Sequence, residues 1–172
     1  QTQNKFEASL EPISKVVEIA TQVGFGPGIA LGEINWSKSL NGLERWSEAV
    51  IHAQKAYDFA NSAGMKNSKA SAMRNLARAN SGLGNHKLAM AYADSAVEIF
   101  REIQQMGELF PSLYYQSEYY FQLKGVLRIR HRCHSQYYRS KYCCWSLKEK
   151  DTIVVIFRSV TGQSVVGAGD EV

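Results

Sequence analysis

The sequence predicts an all-α protein in which antiparallel helix pairs stack side by side over residues 1–125, followed by an irregular tail over residues 126–172. Three observations predict it. Small and apolar residues recur at three- and four-residue steps through most of the first 125 positions, the spacing that lines one face of a helix. The pattern also repeats: Ala49, Ala53 and Ala56 return forty positions later as Ala89, Ala93 and Ala96, with Gly42-Leu43 and Gly82-Leu83 ahead of them. Asn35 and Asn75, Trp36 and Leu76, Ala30 and Ala70, and Gly24 and Gly64 keep the same register. Finally, glycines interrupt the helical pattern at intervals, because Gly is costly inside a helix and cheap in a turn.

In chain order, Lys5 to Val23 reads as an amphipathic helix with Phe6, Leu10, Ile13, Val16, Val17 and Ile19 apolar, and with Pro12 tolerated only near its start or at a kink. Shifted by one repeat, this helix (5–23) matches the second helix of a unit whose first helix is missing. Opening on Gln1 within such a pattern suggests a fragment, a trimmed form or a mature form, the alternative being a capping helix. Gly24-Phe25-Gly26-Pro27-Gly28 reads as a turn. Its glycines are no nucleotide loop, since no Gly-Lys-Ser/Thr follows and no apolar strand precedes. Ile29 to Leu40 and Leu43 to Asn61 form the first complete pair (29–61), and Lys66 to Ser81 and Asn85 to Gln104 the second (66–104), with Gly64 and Gly107 between pairs. The alanine stripes of the second helices let a neighbouring helix approach closely. A partial third pair starts from 109, with Pro111 in its first turn and Tyr114, Tyr115, Tyr119, Tyr120 and Phe121 covering two faces. Some of these aromatics are expected to line a groove or cover an end.

The repeat then fails. Where small residues should follow Ala89, Ala93 and Ala96 by one period stand Ile129, Cys133 and Gln136. The net charge of +4 belongs to this late segment: residues 1–125 carry twelve basic and twelve acidic side chains, and residues 126–150 seven against one. The closing stretch is β-branched and Gly-rich. Thr152 to Phe157 reads as a strand with no visible partner, so a truncated next domain and a frameshifted end are both open.

Several chemistries are excluded or demoted. No run of about 18 apolar residues is present, so no membrane span is expected. His131, Cys133, His134, Cys143 and Cys144 are the one cluster of metal-ligand types, but lack the paired spacing of a zinc site. Three cysteines, all late in the chain, give no disulfide framework, and a reducing cytoplasm is the default. The basic, aromatic tail raises nucleic acid as a lesser reading, without any reader motif. His52 and Glu48 stand one helical turn apart, which reads as an ordinary exposed contact. With no catalytic set visible and no cofactor motif, the protein is expected not to be an enzyme.

Residues 68–104 resemble the tetratricopeptide repeat (TPR), a helix–turn–helix unit with spaced small and aromatic positions. Met73 takes the place of its usual Trp, Leu76 and Ala77 that of Leu-Gly, and Asn80 that of Tyr, while Ala89 and Ala96 match directly. The forty-residue period exceeds the usual ~34 of that family, as in its long-period arrays. This resemblance implies a right-handed α-solenoid that binds a protein or peptide partner in a concave groove lined by the first helix of each pair. Carried over by register, the groove residues are Ile34, Asn35, Lys38 and Asn41 of the first pair, Arg74, Asn75, Arg78 and Ser81 of the second, and Tyr114 and Glu118 of the third. Lys38, Arg74 and Arg78 with the two asparagines resemble loosely a cationic clamp for a peptide's terminal carboxylate. Long-period arrays also resemble segments found ahead of the output domains of bacterial histidine kinases and diguanylate cyclases. A regulatory segment of such a signalling protein is therefore the alternative to a free-standing scaffold.

Overall fold

The computed structural model of the protein describes residues 2–124, 127–129, 142–149, 152–159 and 164–170. Six helices come first: α1 (Thr2–Gln22), α2 (Gly26–Gly42), α3 (Trp46–Ser62), α4 (Lys66–Gly82), α5 (His86–Glu102) and α6 (Met106–Lys124). Helices α2 to α6 start at twenty-residue intervals, and α2 to α5 are each 17 residues long. Successive helices pack against their neighbours as in a helical repeat, and α2 also packs on α4.

The junctions explain the regularity. Residues 24, 44, 64, 84 and 104 all have left-handed backbone, filled by Gly24, Gly64 and Gly84, but by Glu44 (φ 61°) and Gln104 (φ 57°) at the other two places. The following residue then donates its amide back to the third residue from the end of the finished helix: Phe25 to Ala20, Arg45 to Leu40, Met65 to Ala60, Asn85 to Asn80 and Gln105 to Phe100. Its carbonyl accepts the first bond of the next helix, from Ile29, Ala49, Lys69, Ala89 and Leu109 in turn. One residue thus closes one helix and opens another, and orphan groups at both ends are satisfied.

Burial follows the stripes. Ala49, Ala53, Ala56 and Ala60 of α3, and Ala89, Ala93, Ala96 and Phe100 of α5, are buried, each set wedged between the helix before it and the helix after it. Alanine there keeps the backbones close. Gly82 serves the same end at the close of α4, because a Cβ on it would collide with the Trp46 ring.

Several expected boundaries shift. α2 begins at Gly26, not Ile29, because Pro27 falls in its first turn, where a missing N–H costs nothing. α6 begins at Met106, so Gly107 lies in its first turn and the break falls at Gln104. Pro111 and Pro12 then stand inside α6 and α1, both on exposed positions.

The chain divides into two compact units, Gln1–Tyr119 and Tyr120–Val172. In the second, strands β1 (Leu127–Ile129), β2 (Tyr142–Glu149), β3 (Thr152–Ser159) and β4 (Ser164–Asp170) form an antiparallel sheet in the order β1-β2-β3-β4. The tail expected to be irregular thus carries strands among its described residues. The strand expected over 152–157 does have partners, Cys144 standing opposite Phe157 on one side and Val154 opposite Ala168 on the other. Its β-branched run gave the strand, but the pairing partners lack an equally plain signal.

Candidate functional site

The first helices of the pairs, α2 and α4, are clasped by amides. Asn75 Nδ2 donates to the Ile34 carbonyl at 2.9 Å and to Ser37 Oγ at 2.7 Å, while Asn41 Nδ2 donates to the Asn75 carbonyl at 3.1 Å. Burial without these bonds would cost each amide several kcal/mol, roughly 2–7 by transfer, so the clasp holds the two helices in one register. Ile34, Asn41 and Asn75, expected in the groove, are therefore inside the stack. Asn35 stands in the register of Asn75 but is exposed, at the end of the array rather than in its groove.

Between α4 and α6 the contacts are cationic and aromatic. Arg74 is paired with Glu108 and lies over the Phe100 ring at 5.6 Å from its centroid. Arg78 lies over Tyr115 at 5.8 Å, and Tyr115 in turn meets Tyr114 edge-on at 5.5 Å and Tyr119 in a stack at 6.3 Å. The two arginines are half-buried, not the freely exposed pair a clamp needs, and Arg74 already has its carboxylate. Lys38 is exposed on α2. Ser81, Tyr114 and Glu118 are half-buried and hold contacts of their own. Lys38, Arg78, Ser81, Tyr114 and Glu118 are thus what remains of the expected groove, on three helices joined successively.

One cluster was misread from the sequence. His52 does not pair with Glu48. Its Nδ1 lies 2.6 Å from Glu33 Oε2 across the α2–α3 interface, and its ring stacks on Trp36 at 4.2 Å between centroids. Glu48 instead takes Arg45 in a two-pronged pair, 2.7 Å from Nε and 2.6 Å from Nη2. That hydrogen bond holds the Glu48 carboxyl below its usual range and pushes Arg45 up. Glu33 is buried and lines an open cleft of about 400 Å³ with Ile29, Lys55, Asp58, Phe59 and Ser62. The signal for Glu33 was available: the same place one repeat later is Met73, an apolar site.

Tyr119 is buried among Ala77, Ala89 and Ala93, and its hydroxyl has no hydrogen-bond partner among the described residues. Burial pushes its phenol well above the ordinary range. Of the metal-ligand cluster in the tail, His131, Cys133 and His134 lie outside the described residues, and Cys143 and Cys144 fall on β2.

Stacked helix pairs of this kind form the extended surfaces that helical repeat proteins use for binding. Residues 28–102 match the family model described as Tetratricopeptide repeat, which supports a place in that family and covers α3, α4 and α5 entirely and most of α2. Repeats of this family generally mediate protein–protein interaction and are generally non-catalytic. No curated protein matches the chain. Among the described residues no helix is long and apolar enough to cross a membrane.

Proposed function

We propose that the protein is a non-catalytic scaffold that holds a partner protein or peptide along the face shared by α2, α4 and α6. The observation that carries this reading is the shared register of Lys38, Arg78 and Glu118, forty residues apart, with Tyr114 one turn before Glu118, on helices of which α2 and α4 are joined by the amide clasp and α4 and α6 by the Arg74–Glu108 pair. Lys38 and Arg78 occupy places one turn beyond Ile34 and Arg74 and favour an acidic or carboxylate-ended segment. Arg74 is not part of the binding row, because its guanidinium is engaged with Glu108.

The test is titration of the chain with acidic peptides ending in a free carboxylate, by calorimetry at low and high salt. The double substitution Lys38→Ala with Arg78→Ala should weaken binding several-fold, more so at low salt, with the helix signal unchanged. Unchanged affinity would remove the groove. Arg74→Ala should instead lower stability, since it strands Glu108 and uncovers Phe100.

The twenty-residue spacing of helix starts supports the long-period type within the family. That type carries the alternative of a regulatory segment in a bacterial signalling protein, which the coding sequence downstream of residue 125 decides: an output domain in any frame favours signalling. A cytoplasmic setting rests on the cysteine usage, and nucleic-acid binding on the basic run alone.

A further inference from the structure

We propose that the cleft between α2 and α3 binds a free α-amino acid with an apolar side chain, its ammonium on Glu33 and Asp58 and its carboxylate on Lys55. The reading shares no residue with the groove and does not rest on it. Its first ground is a buried charge that departs from the repeat. Only 7% of the Glu33 side chain is exposed, and its hydrogen bond among the described residues is with His52 Nδ1, 2.6 Å from Oε2. A buried carboxylate is costly unless both oxygens are satisfied, and the same place one repeat later takes the apolar Met73. Natural proteins concentrate such departures at functional sites.

The second ground is the space beside that carboxylate. One repeat later the corresponding side chains close on one another. Met73 and Ile99 pack on the cluster around Phe100, and the Lys69 ammonium lies over the Tyr57 ring, 5.7 Å from its centroid. In the first copy Ile29 stands for Lys69 and Val17 for Tyr57, both too short to make that contact. The preceding helix is in place in both copies, since Val17 stands against Gly32 as Tyr57 packs beside Ala72. Side-chain size therefore opens the cleft. Its volume of about 400 Å³ lies near the lower end of small-molecule pockets, roughly 300–1,000 Å³, which suits a ligand of amino-acid size.

The lining sets the chemical class of that ligand. Ile29 and Phe59 give apolar walls, α2 contributes Glu33, and α3 contributes Lys55 and Asp58 one turn apart. Each carboxylate has one oxygen engaged, Glu33 by His52 and Asp58 by the Gln54 amide at 2.8 Å, which leaves the other to accept from an ammonium. Lys55 forms no ion pair among the described residues, although two carboxylates line the same cleft. A molecule with ammonium and carboxylate on one carbon answers both signs at once, and its side chain buries against Ile29 and Phe59. A plain amine sets its charge beside Lys55, and a plain carboxylic acid sets its own beside Glu33 and Asp58, so both are disfavoured.

The experiment is a titration of the isotope-labelled full chain with L-leucine, L-methionine and L-phenylalanine. It is read at the Ile29 methyls, the Phe59 ring and the Trp36 indole, which stacks on the histidine that holds Glu33. At least one of the three should shift these signals saturably, with half-saturation below about 1 mM. The amide of the same amino acid, and the same acid without its amino group, should each bind roughly tenfold more weakly or worse. Glu33→Gln keeps the shape and removes the charge, and Lys55→Ala alters an exposed position. Each should weaken binding several-fold with the helix signal unchanged. The chain carrying Lys38→Ala and Arg78→Ala should bind the amino acid as before, so that failure of the groove and failure of the cleft are told apart. The proposal is overturned if none of the three amino acids half-saturates below about 1 mM, or if binding survives Glu33→Gln or Lys55→Ala undiminished. Equal binding of the amino acid and its amide would also overturn it, by assigning the cleft to the N-terminus of a polypeptide.

Discussion

Glu44 and Gln104 hold the left-handed backbone that three other junctions give to glycine. An L-residue in that region costs roughly 1–2 kcal/mol, and the added chain entropy of a glycine takes back about 0.5–1 kcal/mol. Glu44→Gly is therefore expected to stabilise the array by up to ~1 kcal/mol, read as a raised urea midpoint with an unchanged slope, and Gly64→Ala to destabilise it comparably. A lower midpoint for Glu44→Gly would show that the glutamate makes a compensating contact. Tyr119 offers a second reading, in pH. Its phenol is pushed up by burial in the folded chain, so the unfolded chain loses the proton first as pH rises above about 10. Its contribution to stability is complete below that value and falls as pH climbs past it. Tyr119→Phe should flatten the alkaline limb of the stability curve. At neutral pH it should cost nothing or stabilise slightly, since the hydroxyl it removes is buried with no partner among the described residues.

Helices α2 and α4 test how far two copies of one pattern are equivalent. Asn75→Ala removes two donated bonds and leaves the Ile34 carbonyl with one donor fewer, so a loss of about 2–3 kcal/mol is expected. Asn35→Ala, in the same register but exposed, should change stability by less than about 0.5 kcal/mol; similar losses at both sites would mean that the Asn35 amide too makes buried bonds. The alanine stripes of α3 and α5 were legible from sequence because small residues at fixed spacing have few other uses. The starts of α2 and α6 were not, because Gly26, Pro27, Gly28 and Gly107 read as breakers although a first helical turn tolerates them all. Nor were the partners of His52 and Arg74. Spacing along one helix suggested Glu48 for the histidine, whereas the observed pairs, Glu33 with His52 and Arg74 with Glu108, cross between helices. Such pairs depend on how the helices stack, which no single helix encodes.

Across the first unit, residues 1–119, each helix rests on its immediate neighbours, so stability is expected to be a sum of local terms rather than the property of one central core. Deleting residues 126–172 should accordingly leave the helical circular dichroism of residues 1–125 intact, and a proportional collapse of that signal would refute the division. The junctions set a limit on how such an array comes apart. Residues 25, 45, 65, 85 and 105 each tie off one helix by their amide and start the next by their carbonyl. A helix end cannot fray there without loosening the first turn of its successor. Amide hydrogen exchange should therefore be unusually slow for exposed linkers such as Arg45 and Asn85, and should accelerate in adjacent helices together when either is strained. An array held in this way transmits the loosening of one helix along the chain as stepwise unzipping, one shared residue at a time.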